Sequence, residues 1–204
     1  MKSDHIKAVV FDMGGVFVQS KDKNPRTRLA QQFGLSYDEL SQLVFQTETA
    51  QLATVGAIDE TMHWAFIAKH FNLNDTEILK FWDDFWGGDQ LDHELLMFTI
   101  TLKADYALGL LSNAWNGARD LLTRRFGFLD IFDVTVFSAE VKMAKPDPEI
   151  YQWMLDALQV SAGETIFVDD FIENIHTARD LGFNTVHFTQ TSQAIEEIKA
   201  ILGS

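Results

Sequence analysis

Three short apolar runs in this 204-residue chain end on groups that can do polar chemistry. Ala8-Val9-Val10-Phe11 runs into Asp12, Leu110-Leu111 into Ser112-Asn113, and Ile166-Phe167-Val168 into Asp169-Asp170. A continuous apolar, β-branched run is the pattern of a strand covered on both faces. In open parallel sheets, ligands sit beyond the carboxyl ends of such strands. If the three strands are neighbours, Asp12, Asp169 and Asp170 converge, and like charges that close do not all stay ionised unless a cation joins them. All-oxygen ligation with room for water suits Mg²⁺. Together with a hydroxyl and a lysine, such an array equips a site for phosphoryl transfer, with metal and ammonium neutralising the charge on the transferring group. The adjacent Gly14 and Gly15 let the backbone bend sharply and approach a ligand.

The elements that must position these groups are legible in outline. After Val18 the text turns helical. Asn24-Pro25 reads as an N-cap and a proline at the first helical position, opening a helix through Phe33 that Gly34 ends. Ser36 to Glu39 is a capping box for the next helix. Asp59 can cap a helix through His70 with Met62, Phe66 and Phe71 on its apolar face, and Asn74 to Glu77 starts another containing Phe81, Trp82, Phe85 and Trp86. Leu91 to Leu102 reads as an amphipathic helix leading back to a strand. From Tyr106 onward strands and helices alternate: strands at Tyr106–Leu111, Phe132–Phe137, Thr165–Val168 and Thr185–Phe188, and helices at Gly117–Phe126, from Asp147-Pro148 to Leu158, up to Leu181 before Gly182, and at 192–202. That alternation predicts an α/β fold, a Rossmann-like parallel sheet with helices on both faces. The helical stretch predicts an inserted α-helical cap. Residues 1–18 and 92–204 would form the core and 19–91 the cap.

Composition narrows the function classes. The chain has no apolar run of the roughly 18 residues that a membrane span needs and no signal-peptide pattern, so a cytoplasmic protein is expected. Zero cysteines exclude disulfides, thiolate catalysis and Cys-ligated zinc. A net charge of −14 argues against nucleic acid or an anionic membrane as partner, since the field repels polyanions. An anionic small-molecule substrate then requires local positive charge. Oligomeric state is left open.

Read together, VVFDMGGV around Asp12, LLSN with Ser112, VKMAKPDPEIY with Lys145, and FVDDFIENI with Asp169, Asp170 and Asn174 resemble the four ordered motifs of the haloacid dehalogenase (HAD) superfamily. The subgroup it looks most like comprises small phosphatases whose first motif reads FDxGxV. The resemblance implies a Mg²⁺-dependent phosphomonoester hydrolase acting on a small phosphorylated metabolite, a sugar phosphate being plausible for the subgroup. Asp12 would be the nucleophile, forming an aspartyl phosphate. Ser112, Asn113 and Lys145 would hold the phosphoryl group, with Lys145 also neutralising Asp12. Asp12, the backbone carbonyl of Gly14 and Asp170 would bind the metal, with Asp169 supporting and Asn174 bracing the acidic loop.

One departure stands out. HAD phosphatases usually carry a second aspartate two residues after the nucleophile as acid and base, and here that residue is Gly14. Losing such help costs about 10²- to 10⁴-fold, so the expectation is a substrate with a good leaving group, such as an anomeric phosphate, a substrate that donates its own proton, or a cap residue or metal-bound water in the aspartate's place. Two rival readings are a metal-independent 2-haloacid dehalogenase, in which Asp12 attacks carbon, and a catalytically weak HAD-fold regulatory or binding protein. The cap aromatics, His63 and His70 read as packing residues, and Arg26 and Arg28 as surface charges able to reach a second anionic group. Trp115, just past Ser112-Asn113, is expected to face the cap.

Overall fold

The apolar run Ala8–Phe11 forms strand β1, and all four residues are completely buried. The computed structural model of the protein describes residues 5–203. Beyond β1 the chain runs through β2 (Val18–Ser20), five helices α1 (Asn24–Gln32), α2 (Tyr37–Phe45), α3 (Glu48–Thr54), α4 (Glu60–Phe71) and α5 (Asp75–Trp86), then β3 (Asp89–Leu91) and α6 (His93–Leu102). It continues with β4 (Ala107–Ser112), α7 (Ala118–Arg125), β5 (Val134–Phe137), α8 (Ser138–Val141), α9 (Pro148–Leu158), β6 (Thr165–Asp169), α10 (Ile172–Asp180), β7 (Asn184–His187) and α11 (Thr191–Leu202).

Five strands make a parallel sheet in the order β5-β4-β1-β6-β7. The chain steps outward from β1 through β4 to β5, then returns to place β6 on the other flank of β1. β1 is therefore the topological switch point, where ligands of such sheets bind. Its side chains alternate between two cores. Val9 and Phe11 join Leu95, Phe132 and Ile198, while Val10 joins Tyr151, Met154 and Phe167 on the opposite face. Among the described residues no helix is long and apolar enough to cross a membrane.

The helices between β2 and β3 pack around their own apolar cluster, which includes Leu29, Leu40, Ile67, Phe81 and Phe85. The Ser36–Glu39 and Asn74–Glu77 capping boxes both form, and Asp59 caps α4. Several local expectations shift. The cap of α1 is Lys23, with Asn24 already helical and its N–H taken by the Asp22 carboxylate at 2.9 Å. On α4 the buried face carries His63 and Ile67, and Met62 is exposed. One position along a helix is a turn of roughly 100°, and the apolar cluster of these helices lies on the side of His63 and Ile67. Leu91 does not begin a helix but pairs with Val18 in a two-stranded antiparallel ribbon. Pairing between segments so distant in sequence leaves no helical or strand period in so short a run. The short helices α3 and α8 add to the expected order.

The ribbon is tied to the core by Asp92, the buried cap of α6. One oxygen accepts the Leu95 N–H at 3.0 Å, and the other accepts from the Thr191 hydroxyl at 2.6 Å and Lys21 Nζ at 3.1 Å. Burial opposes ionisation there, but these donors hold the carboxyl below the ordinary aspartate value.

Candidate active site

Asp12 leaves β1 directly, with its N–H donating to the Val168 carbonyl at 2.8 Å. Strand register then sets Asp12 beside the carboxyl ends of β4 and β6, where Ser112 and Asp169 stand buried. The three aspartates predicted to converge do so: Asp12, Asp169 and Asp170 each place a carboxylate oxygen within 4.8 Å of the others. Lys145 arrives from the loop before α9. Its Nζ lies 2.8 Å from Asp12 Oδ1 and 2.6 Å from Asp169 Oδ2.

The supporting groups divide the acids by role. Asn113 clasps the Lys145 backbone, its Nδ2 donating to the Lys145 carbonyl at 2.7 Å and its Oδ1 accepting the Lys145 N–H at 2.8 Å. The Asn113 side chain thus positions the lysine. Asn174 Nδ2 donates to both oxygens of Asp169 at 3.0 Å, and the Phe171 N–H adds a bond of 2.8 Å. Asp169 is therefore held by Lys145, Asn174 and Phe171. Asp170, by contrast, has a buried Oδ1 with no partner. It can approach the loop after β1 because Gly15 has no side chain: a Cβ there would lie 2.1 Å from Asp170 Oδ2. Gly15 also takes φ +76°, a conformation that favours glycine.

Charge in this cluster is out of balance, with three carboxylates against one ammonium. Burial, aided by Asp169 and Asp170, pushes the Asp12 carboxyl up to about 7 even though Lys145 opposes it. Burial and the Asp169 charge push Asp170 up to about 6. Burial would lower the Lys145 ammonium, but Asp12 and Asp169 outweigh it and its pKa is raised. The all-oxygen donors, the orphaned Asp170 oxygen and the cradle at Gly15 fit a hard divalent cation between Asp12 and Asp170.

Asp12, Gly14, Ser112, Asn113, Lys145, Asp170 and Asn174 all line one cleft of about 1080 Å³ roofed by the helices between β2 and β3. Arg26 lines it too. It is buried rather than a surface charge, its Nε donating to the Phe85 carbonyl at 3.0 Å and its guanidinium stacked 4.0 Å from the Phe85 ring centroid. Arg28 is exposed. Trp115 faces the helices between β2 and β3, its indole N–H donating to the Ala50 carbonyl and the Thr54 hydroxyl. Two features escaped the sequence reading: the distinct role of Gly15, signalled only by the paired glycines, and the burial of Arg26, for which no local signal exists.

A family model for haloacid dehalogenase-like hydrolases matches residues 6–182. The D-ribitol-5-phosphate phosphatase of Bacteroides thetaiotaomicron is 28% identical, covering 98% of this chain and 100% of its own length. The bifunctional epoxide hydrolase 2 of mouse is 27% identical over 98% of this chain, which spans 39% of that protein. A HAD family enzyme from B. thetaiotaomicron, solved with magnesium and inorganic phosphate, superposes with a TM-score of 0.74 at 24% identity, covering 90% of this chain and 94% of its own. That last likeness is one of fold. The matched segment takes in every one of the four motifs, and the chain belongs to the haloacid dehalogenase-like hydrolases.

Proposed function

We propose that the protein is a Mg²⁺-dependent phosphomonoester hydrolase acting on a small phosphorylated metabolite, sugar phosphates included, with residues 1–18 and 92–204 as catalytic core and 19–91 as a cap over the cleft. Phosphatase activity among relatives of nearly the same length supports this reading. The observation that carries it is the unequal state of the two neighbouring aspartates, Asp169 fully bonded and Asp170 left with an orphaned buried oxygen beside the nucleophile. That arrangement fits a cation, which a metal-independent dehalogenase would not need.

Asp12, Asp170 and the Gly14 carbonyl would hold the Mg²⁺, which when bound supplies the positive charge that keeps both carboxylates ionised and screens the phosphoryl oxygens. Lys145 holds Asp12 Oδ1, fixing the carboxylate for in-line attack on phosphorus by its second oxygen. The new bond is Asp12 O–P, and the ester P–O bond breaks, its electron pair leaving with the alcohol oxygen. Ser112 and the backbone at Asn113 donate to the phosphoryl oxygens, and Lys145 offsets their charge. Water then attacks the aspartyl phosphate at phosphorus and returns Asp12 and inorganic phosphate. The cap keeps bulk water from the intermediate. At Gly14 there is no side chain to protonate the departing oxygen.

The test is hydrolysis of p-nitrophenyl phosphate with Mg²⁺ and with EDTA, beside Asp12→Asn. Turnover that needs the metal and disappears in a folded Asp12→Asn variant is the expected result. Turnover that survives the substitution would overturn the assignment, and haloacid hydrolysis in EDTA would favour the dehalogenase.

A further inference from the structure

With glycine at position 14, an alkoxide leaving group has to take its proton from elsewhere. Besides Asp12 and Asp170, the acids lining the cleft are Asp38, Asp89 and Glu173. Asp38 and Glu173 are exposed, whereas the Asp89 side chain is only 10% exposed. Asp89 is also close to the gap it would fill. It and Gly14 both line the acid cleft and a second space of about 500 Å³ beside it, so both stand at the junction of the two.

The ribbon fixes this position. The Gly15 N–H donates to the Val18 carbonyl at 2.9 Å, joining the loop that follows Asp12 to β2, and β2 pairs with β3 in a register that sets Ser20 opposite Asp89. Directly paired residues, and residues two apart on one strand, share a face of such a ribbon. Val18, Ser20 and Asp89 therefore point the same way, and all three line the cleft. The carboxyl is held by one of its oxygens. Asp89 Oδ1 accepts from the Ser20 hydroxyl at 2.5 Å and lies 3.6 Å from Arg26 Nη2, while Oδ2 accepts no hydrogen bond among the described residues. Anchoring one oxygen orients the carboxyl and leaves the other to carry and deliver a proton. Burial raises the Asp89 carboxyl, outweighing the Ser20 bond and the charges of Arg26 and Arg125, and so favours the protonated form.

We propose that Asp89 is the general acid of the reaction and stands in for the aspartate missing at position 14. This rests on the phosphatase reading. As the ester P–O bond breaks, its electron pair passes to the alcohol oxygen, which takes the proton from Asp89 Oδ2 and leaves as the neutral alcohol. The Asp89 carboxylate, with Arg26 beside it, then takes a proton from the water that attacks the aspartyl phosphate. The cycle closes on alcohol, inorganic phosphate and a protonated Asp89.

The experiment compares ethyl phosphate with trifluoroethyl phosphate, two esters of similar size whose alcohols differ in how readily they leave as anions, and includes p-nitrophenyl phosphate. The readout is the ratio of kcat/KM for the ethyl ester to that for the trifluoroethyl ester, in the wild type, Asp89→Asn, Gly14→Asp and the double variant. The ratio should fall about 10-fold or more in Asp89→Asn, because the poorer leaving group depends more on the acid. Adding Gly14→Asp to that variant should restore the ratio about 10-fold or more, since a Cβ at position 14 meets nothing within 4 Å. A carboxyl that only braced the ribbon would slow both esters alike, and an unchanged ratio in Asp89→Asn would overturn the proposal. So would a rise of about 10-fold or more in Gly14→Asp alone, which would show that the wild type lacks an acid; this comparison does not depend on Asp89→Asn folding. Cleavage of p-nitrophenyl phosphate without cleavage of ethyl phosphate would overturn the proposal and leave the phosphatase reading intact. Cleavage of none of the esters would overturn both.

Discussion

At Gly15 a Cβ would lie 2.1 Å from Asp170 Oδ2 and the backbone sits at φ +76°, whereas at Gly14 a Cβ would meet nothing within 4 Å. These adjacent residues therefore predict opposite outcomes for one substitution. Gly15→Ala should cost roughly 1 kcal/mol or more, since the left-handed backbone is strained for alanine. It should also push Asp170 aside and weaken Mg²⁺ binding in a calorimetric titration. Gly14→Ala should melt within about 0.5 kcal/mol of the wild type. Equal effects at the two positions would remove the cradle from the account of Asp170.

At the scale of elements, Asp92 ties the ribbon of β2 and β3 to α6 and α11. Asp92 caps α6 and takes bonds from Thr191 and Lys21, so Asp92→Ala should destabilise by about 1–3 kcal/mol. The pH dependence has a definite sign. The folded-state pKa of Asp92 is depressed below the ordinary 3.8, so its contribution is fully present above about pH 4 and is lost as pH falls through the folded value. Urea denaturation of wild type and Asp92→Asn should show a stability gap near neutrality that shrinks below about pH 4. A gap of constant size would show that the charge of Asp92 is not what the donors hold.

Across the whole molecule, the helices between β2 and β3 are held to the sheet side by polar contacts from the loop after β4 and from the start of α8. Asn116 donates to Asp59 at 2.7 Å and accepts the Glu60 N–H at 2.9 Å, and the Ser138 hydroxyl donates to the Thr54 carbonyl at 2.7 Å. Each such bond is worth about 1 kcal/mol. Asn116→Ala should therefore speed amide exchange at the start of α4 severalfold and leave β1 amides unchanged, as expected for local opening of a docked element. Faster exchange throughout both regions would mean that these helices and the sheet open as one unit. The acidic surface adds a constraint at this scale. With a net charge of −14 the surface field repels anions, and the cationic side chains lining the cleft are Lys145 and the buried Arg26, both of them beside carboxylates.

What the sequence determined by itself was whatever is encoded locally. The apolar runs ending at Asp12, Ser112 and Asp169, the Ser36 and Asn74 capping boxes and the strand–helix alternation depend on residues a few positions apart, so a linear reading finds them. Only the tertiary structure decided what depends on distant partners. The pairing of Val18 with Leu91, the inward turn of His63 in place of Met62, and the burial of Arg26 against Phe85 all follow from packing between remote segments. So do the saturation of Asp169 by Lys145 and Asn174 and the orphaned oxygen of Asp170. Strand and helix signals decay within a few residues, but a site is built from strand ends that meet only when the sheet order is set.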